Sequence, residues 1–129
     1  MPLVIGLFDS AANAALCLDN LAEADFRPGV TSLVMKTRAD AEAIADLTGP
    51  LTGLSAGDVS ERLASLGVSA SDADRYARGV LAGGALIAVD AEDADAARSA
   101  AEMLGDAKAR LIRTVGGPTD RGARNASRA

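Results

Sequence analysis

Gly83-Gly84-Ala85-Leu86-Ile87-Ala88-Val89-Asp90 decides the fold, because it repeats the way the chain opens. Near the start, Leu3-Val4-Ile5-Gly6-Leu7-Phe8-Asp9 is likewise a short apolar run closed by an aspartate. Runs of this length, bounded by glycine and aspartate, suit a buried strand. A helical period follows each one. After Asp9 or Ser10, the expected cap, Ala14, Cys17, Leu18 and Leu21 fall on one face of a 3.6-residue repeat. After Asp90, again the expected cap, Ala94, Ala97, Ala101 and Leu104 do the same. Two further apolar runs, Val30 to Met35 and Ala109 to Val115, supply a strand after each helix. Phe26, Pro28 and Gly29 end the first helix and turn the chain.

The chain therefore reads strand-helix-strand twice. Two such units interleave into a four-stranded antiparallel sheet with both long helices on one face. This is an α+β, ferredoxin-like βαβ-βαβ plan, with a helical insertion between strands 2 and 3 at about residues 38–83. A small doubly wound parallel sheet is the alternative; the lack of a phosphate-loop glycine pattern counts against it. Apolar strands on the face away from the long helices need a cover. Either the insertion folds over that face or two chains pack sheet to sheet, and the expectation is a homodimer formed through it.

The insertion carries its own start and stop signals. Thr37 with Asp40 opens a short helix that turns Ala41, Ile44 and Leu47 inward. Glycine, proline and threonine between Thr48 and Gly57 make an internal loop. Asp58 with Glu61 opens a second helix, with Val59, Leu63 and Leu66 inward and Gly67 as its stop. Ser71 with Asp74 opens a third, leading through Tyr76, Ala77, Val80 and Leu81 to Gly83-Gly84. Gly79 lies inside that helix, where glycine costs about 1 kcal/mol against alanine, so it marks a tight approach to something.

At 129 residues the chain fits one domain, residues 1–116, followed by a basic tail at 117–129. Aromatics make up only 2% of residues, so the core must be built from alanine, leucine, valine and isoleucine. Apolar runs fall far short of the roughly 20 residues needed to span a bilayer. The start has no basic segment ahead of its apolar run and is not expected to be a secretory signal. A single cysteine fits a reducing, cytoplasmic setting. The tail holds Arg121, Arg124 and Arg128 against Asp120, a net +2, which leaves -7 on the rest of the chain. An acidic body makes a nucleic-acid partner unexpected except through the tail, whose composition predicts disorder.

Histidine is absent, which removes the Ser-His-Asp and Cys-His nucleophilic systems together with the commonest metal ligand. One cysteine cannot build a zinc site, and Cys17 lies on an inward helix face. The acidic cluster Asp90, Glu92, Asp93 and Asp95 could hold a hard cation, but helix capping accounts for it, as it does for Asp72 and Asp74. No catalytic residue, metal ligand or cofactor is expected. The best polar constellation is Tyr76 flanked by Arg75 and Arg78, where a phenol and two guanidinium groups could take an anion. Gly83 and Gly84 could let a ligand approach the backbone closely; their other reading is a helix stop.

Leu63-Ala64-Ser65-Leu66-Gly67-Val68, Asp72-Ala73-Asp74-Arg75-Tyr76 and Gly79-Val80-Leu81-Ala82-Gly83-Gly84, running into Ala85 to Val89, also carry a resemblance. With the opening Val4 to Ser10, and Leu21 and Phe26 at the end of the first helix, they resemble the heat-induced (YflT-like) general stress protein domain over most of residues 3–115. That resemblance implies a bacterial stress response, no established enzymatic activity and no catalytic residues to carry over. Many relatives have a longer glycine-rich apolar middle segment; here only Thr48 to Gly57 stands in its place, so membrane association is not expected. The expected function is a non-enzymatic, stress-associated interaction module that binds a protein partner. The alternative is a small-molecule or anion-sensing domain using Arg75, Tyr76 and Arg78 at a subunit junction.

Overall fold

β1 (Leu3–Phe8) and β3 (Ala85–Asp90), the two copies of the repeated pattern, lie side by side at the centre of one sheet. β2 (Thr31–Val34) flanks β3 and β4 (Arg110–Val115) flanks β1, giving the order β2-β3-β1-β4. Every pairing is antiparallel, which is the ferredoxin-like arrangement and rules out the parallel alternative. The computed structural model describes residues 2–24, 26, 30–44 and 58–115. Leu47, the loop from Thr48 to Gly57, the Pro28-Gly29 turn and the tail at 117–129 lie outside the described residues.

Alternation along each strand sorts the core into two layers. Val4 and Phe8 of β1, Leu33 of β2 and Ala85, Ile87 and Val89 of β3 face α1 (Ala11–Glu23) and α5 (Ala94–Asp106). Ala14, Cys17, Leu18 and Leu21 of α1 meet them, as the helical period predicts, together with Ala97, Ala100 and Leu104 of α5. Ala100 therefore takes the inward place expected of Ala101, which is only partly buried. α2 (Arg38–Ile44) adds Ala41 to the same layer.

On the opposite face stand Leu3, Ile5 and Leu7 of β1, Val34 of β2 and Leu86 and Ala88 of β3. Of the two covers expected for this face, the insertion is the one observed. α3 (Val59–Ser65) and α4 (Ala70–Leu81) from the chain's own insertion cover this face with Val59, Leu63, Ala73, Tyr76, Ala77 and Val80. Burying a side chain such as Leu63 or Val80 contributes roughly 1.5–3 kcal/mol, so a second chain could reach these strands only by displacing the insertion.

The helix starts show where local pattern misleads by a few residues. Ser10 caps α1, accepting from the Asn13 N–H at 3.2 Å, which leaves Asp9 to pair with Arg110 at 2.8 Å. Ser69 and not Ser71 caps α4, accepting from Asp72 N–H at 3.2 Å. Asp93 and not Asp90 caps α5, accepting from Ala96 N–H at 2.8 Å, because Asp90 still belongs to the β3 ladder opposite Leu3. The helix ends share one device, in which the residue two past the cap donates back to the third-last helical carbonyl. Val68 donates to Leu63, Gly84 to Gly79 and Ala109 to Leu104. Gly67 (φ 107°) and Gly83 (φ 102°) supply the left-handed residue that this turn requires, and Lys108 (φ 73°) does so after α5.

Candidate functional site

α4 carries the side chains that sequence reasoning brought together, and the helix divides them. Its inward face is Ala73, Tyr76, Ala77 and Val80; Arg75 and Arg78 lie on the other side, exposed. Arg78 Nε meets Asp74 Oδ2 at 2.9 Å, a solvated pair one turn apart whose side chains are 79% and 55% exposed. Tyr76 is 0% exposed. Phenol and guanidinium groups therefore do not converge, and the expected anion site does not form around them. The reason is the helical period: Ala73, Tyr76, Ala77 and Val80 form the inward stripe, and Arg75 and Arg78 fall outside it on the solvent side.

Instead, the Tyr76 hydroxyl reaches through the layer to the backbone. Its one proton is shared between two acceptors, the carbonyls of Leu111 and, at 3.1 Å, Ile5. Burial pushes this hydroxyl above the ordinary tyrosine range, so it stays protonated and keeps its donor. The carbonyls lie where β1 and β4 lose register. Leu3, Val4 and Ile5 oppose Val115, Thr114 and Arg113, but Leu7 opposes Arg110, so Leu111 and Ile112 share the place opposite Gly6. That is a β-bulge, and Leu111 adopts φ 51° within it.

Arg113 completes the arrangement. Its Nε donates to Asp72 Oδ2 at 2.9 Å and its Nη1 to the Ile112 carbonyl at 3.0 Å. Both successive carbonyls of the bulge thus receive a side-chain donor that α4 supplies or positions. The Arg113 hydrogen bond holds the Asp72 carboxyl below the usual aspartate range, with a further electrostatic contribution from Arg75. A depressed folded value means that this carboxylate stabilises the fold fully above the ordinary aspartate range and loses that contribution as pH falls through the folded value. Asp72→Ala is therefore expected to flatten the acid limb of a melting-temperature profile between pH 5 and pH 2, leaving its slope near neutrality unchanged. Circular dichroism melts of both proteins across that range check it.

The other candidates serve the fold. Gly83 and Gly84 form the turn after α4 described above; an added Cβ on Gly84 would stand 2.5 Å from the Phe8 carbonyl oxygen. Gly79 fits the tight approach expected of it, since a Cβ there would lie 2.3 Å from Leu7 Cδ2. Asp93 and Asp95 sit at the start of α5, as cap and as partner of Arg98 at 3.4 Å, and no group of three metal-binding side chains occurs among the described residues. A shallow depression of about 380 Å³ beside α3 is lined by Asp58, Glu61, Arg62 and Ser65, all exposed. No helix among the described residues is long and apolar enough to cross a membrane.

Cys17 is fully buried beneath α1, and burial pushes its thiol up to about 12. Thiolate is the reactive form, so native protein is expected to resist Ellman's reagent at pH 8 and to react fully in urea. Fast labelling of the native state would contradict this packing. Sequence reasoning missed Arg110, Leu111 and Arg113. The available signal was Arg110-Leu111-Ile112-Arg113, in which two adjacent apolar residues between arginines break the two-residue period of a strand. No protein-family model, curated protein or solved structure matches the chain.

Proposed function

We propose that this chain is a non-enzymatic, stress-associated interaction module of the cytoplasm that acts by binding a protein partner through its outer surface. One observation carries the reading: the side chains best suited to chemistry are already engaged within the fold. Tyr76 donates to backbone carbonyls, Cys17 is buried, and Arg78, Arg110 and Arg113 each pair with an aspartate. The stress association rests on the resemblance to the heat-induced general stress protein domain. Interaction does not use the sheet faces, which the chain's own helices cover.

The test is affinity capture from heat-stressed and unstressed bacterial cells, using the full chain and a chain ending at Val115. The reading expects a partner enriched under stress that also binds the purified chain at micromolar concentration. Loss of that partner on truncation would assign its contact to the basic tail. A small anion that raises the melting temperature of the purified chain, with the rise abolished by Arg75→Ala, would replace the reading with that of a sensor.

A further inference from the structure

We propose that α4 acts as a register latch on β4, holding the last strand in a bulged register that the strand's own sequence does not dictate. Without the latch, β4 would continue from the Leu7–Arg110 pair as a regular ladder. Gly6 would then oppose Leu111, Ile5 would oppose Ile112, Val4 would oppose Arg113 and Leu3 would oppose Thr114. The apolar pattern separates these two states only at the strand's end, where Val115 packs with the α3 and α4 layer opposite Leu3 in the observed register. In the observed register Leu111 packs with the α3 and α4 layer and Ile112 with the α1 and α5 layer. The regular register exchanges one aliphatic residue for the other, so each layer keeps an aliphatic neighbour. A strand whose two faces are interchangeable has a weakly specified register.

Two features of the observed state oppose it. Leu111 is held at φ 51°, a left-handed conformation disfavoured by a branched side chain, and the bulge interrupts the ladder with β1. Two polar features favour it, and α4 supplies one and positions the other. The Tyr76 hydroxyl donates to the Leu111 carbonyl, and Asp72 orients the Arg113 guanidinium that donates to the Ile112 carbonyl. In the regular register Arg113 would stand beside Val4, on the α1 and α5 side, out of reach of Asp72. Gly6 stands opposite the two bulged residues, and a side chain there would press on Ala109 and Leu104, 3.2 Å from an added Cβ.

Cross-strand nuclear Overhauser effects read the register directly in the full-length protein. Native protein should show Leu3–Val115 and Ile5–Arg113 contacts alone. Tyr76→Phe should add Leu3–Thr114 and Ile5–Ile112 contacts at the expense of the first set, and Asp72→Ala, at an exposed pair, should do the same to a smaller extent. Adding Leu111→Gly to Tyr76→Phe should restore the native set, because glycine takes the left-handed conformation without penalty. A folded Tyr76→Phe protein showing only native contacts overturns the proposal. Should that variant fail to fold, Asp72→Ala decides, and native contacts alone there overturn it equally.

Discussion

Gly84→Ala is expected to lower the melting temperature by roughly 10 °C. The added carbon would stand 2.5 Å from the Phe8 carbonyl oxygen and 2.9 Å from that of Gly79. Both are backbone atoms, one ending the central strand β1 and one inside α4, so neither yields as a side-chain tip would. The Gly84 N–H is also committed to the Gly79 carbonyl at 2.9 Å, which prevents the turn from opening to make room. Overpacking of this kind costs up to about 3 kcal/mol, a large share of the stability of a small domain. Gly67→Ala is the control. Its φ of 107° is unfavourable for alanine, a strain that Gly84 does not carry, and nothing lies within 4 Å of the added carbon. That change should cost only the backbone term of about 1–2 kcal/mol. Urea titrations of the three proteins separate the contributions, and equal losses at the two positions would contradict the close approach at Gly84.

The same contrast shows what was legible in the sequence. The alternation of short apolar runs with helical periods carries the whole βαβ-βαβ plan, because strand and helix periodicity are set by burial and both layers are apolar. Gly67 and Gly83 mark the stops of α3 and α4 because few other residues take φ near 100°. Less was legible wherever the answer depended on what one element meets in another. The sheet's second face could have been covered by the insertion or by a second chain, and the pattern of apolar residues is the same in either case. Only the placement of Val59, Leu63 and Val80 against Ile5 and Leu86 separates them. Tyr76 shows the same limit at one residue. Proximity in sequence placed it with Arg75 and Arg78, whereas its partners are the carbonyls of Ile5 and Leu111, 71 and 35 positions away.

Tyr76→Ala should therefore act on folding, with no ligand present. Truncating a fully buried ring leaves a cavity and costs about 3–5 kcal/mol, before counting the Leu111 carbonyl left without its donor. Tyr76→Phe keeps the ring and removes only the hydroxyl, so about 1–2 kcal/mol is expected from the unsatisfied acceptor. Graded losses in urea midpoint, with alanine well below phenylalanine, are the expected result; an alanine variant as stable as the parent would return Tyr76 to the surface. Alkaline titration provides an independent readout, because the chain holds one tyrosine and no tryptophan. A folded value above the ordinary range means that the neutral phenol stabilises the fold, fully below the unfolded value of about 10 and progressively less as pH rises towards the folded one. Phenolate absorbance near 295 nm should accordingly rise together with the loss of helical circular dichroism. A ligand-binding phenol open to solvent would titrate first, with the helices still intact.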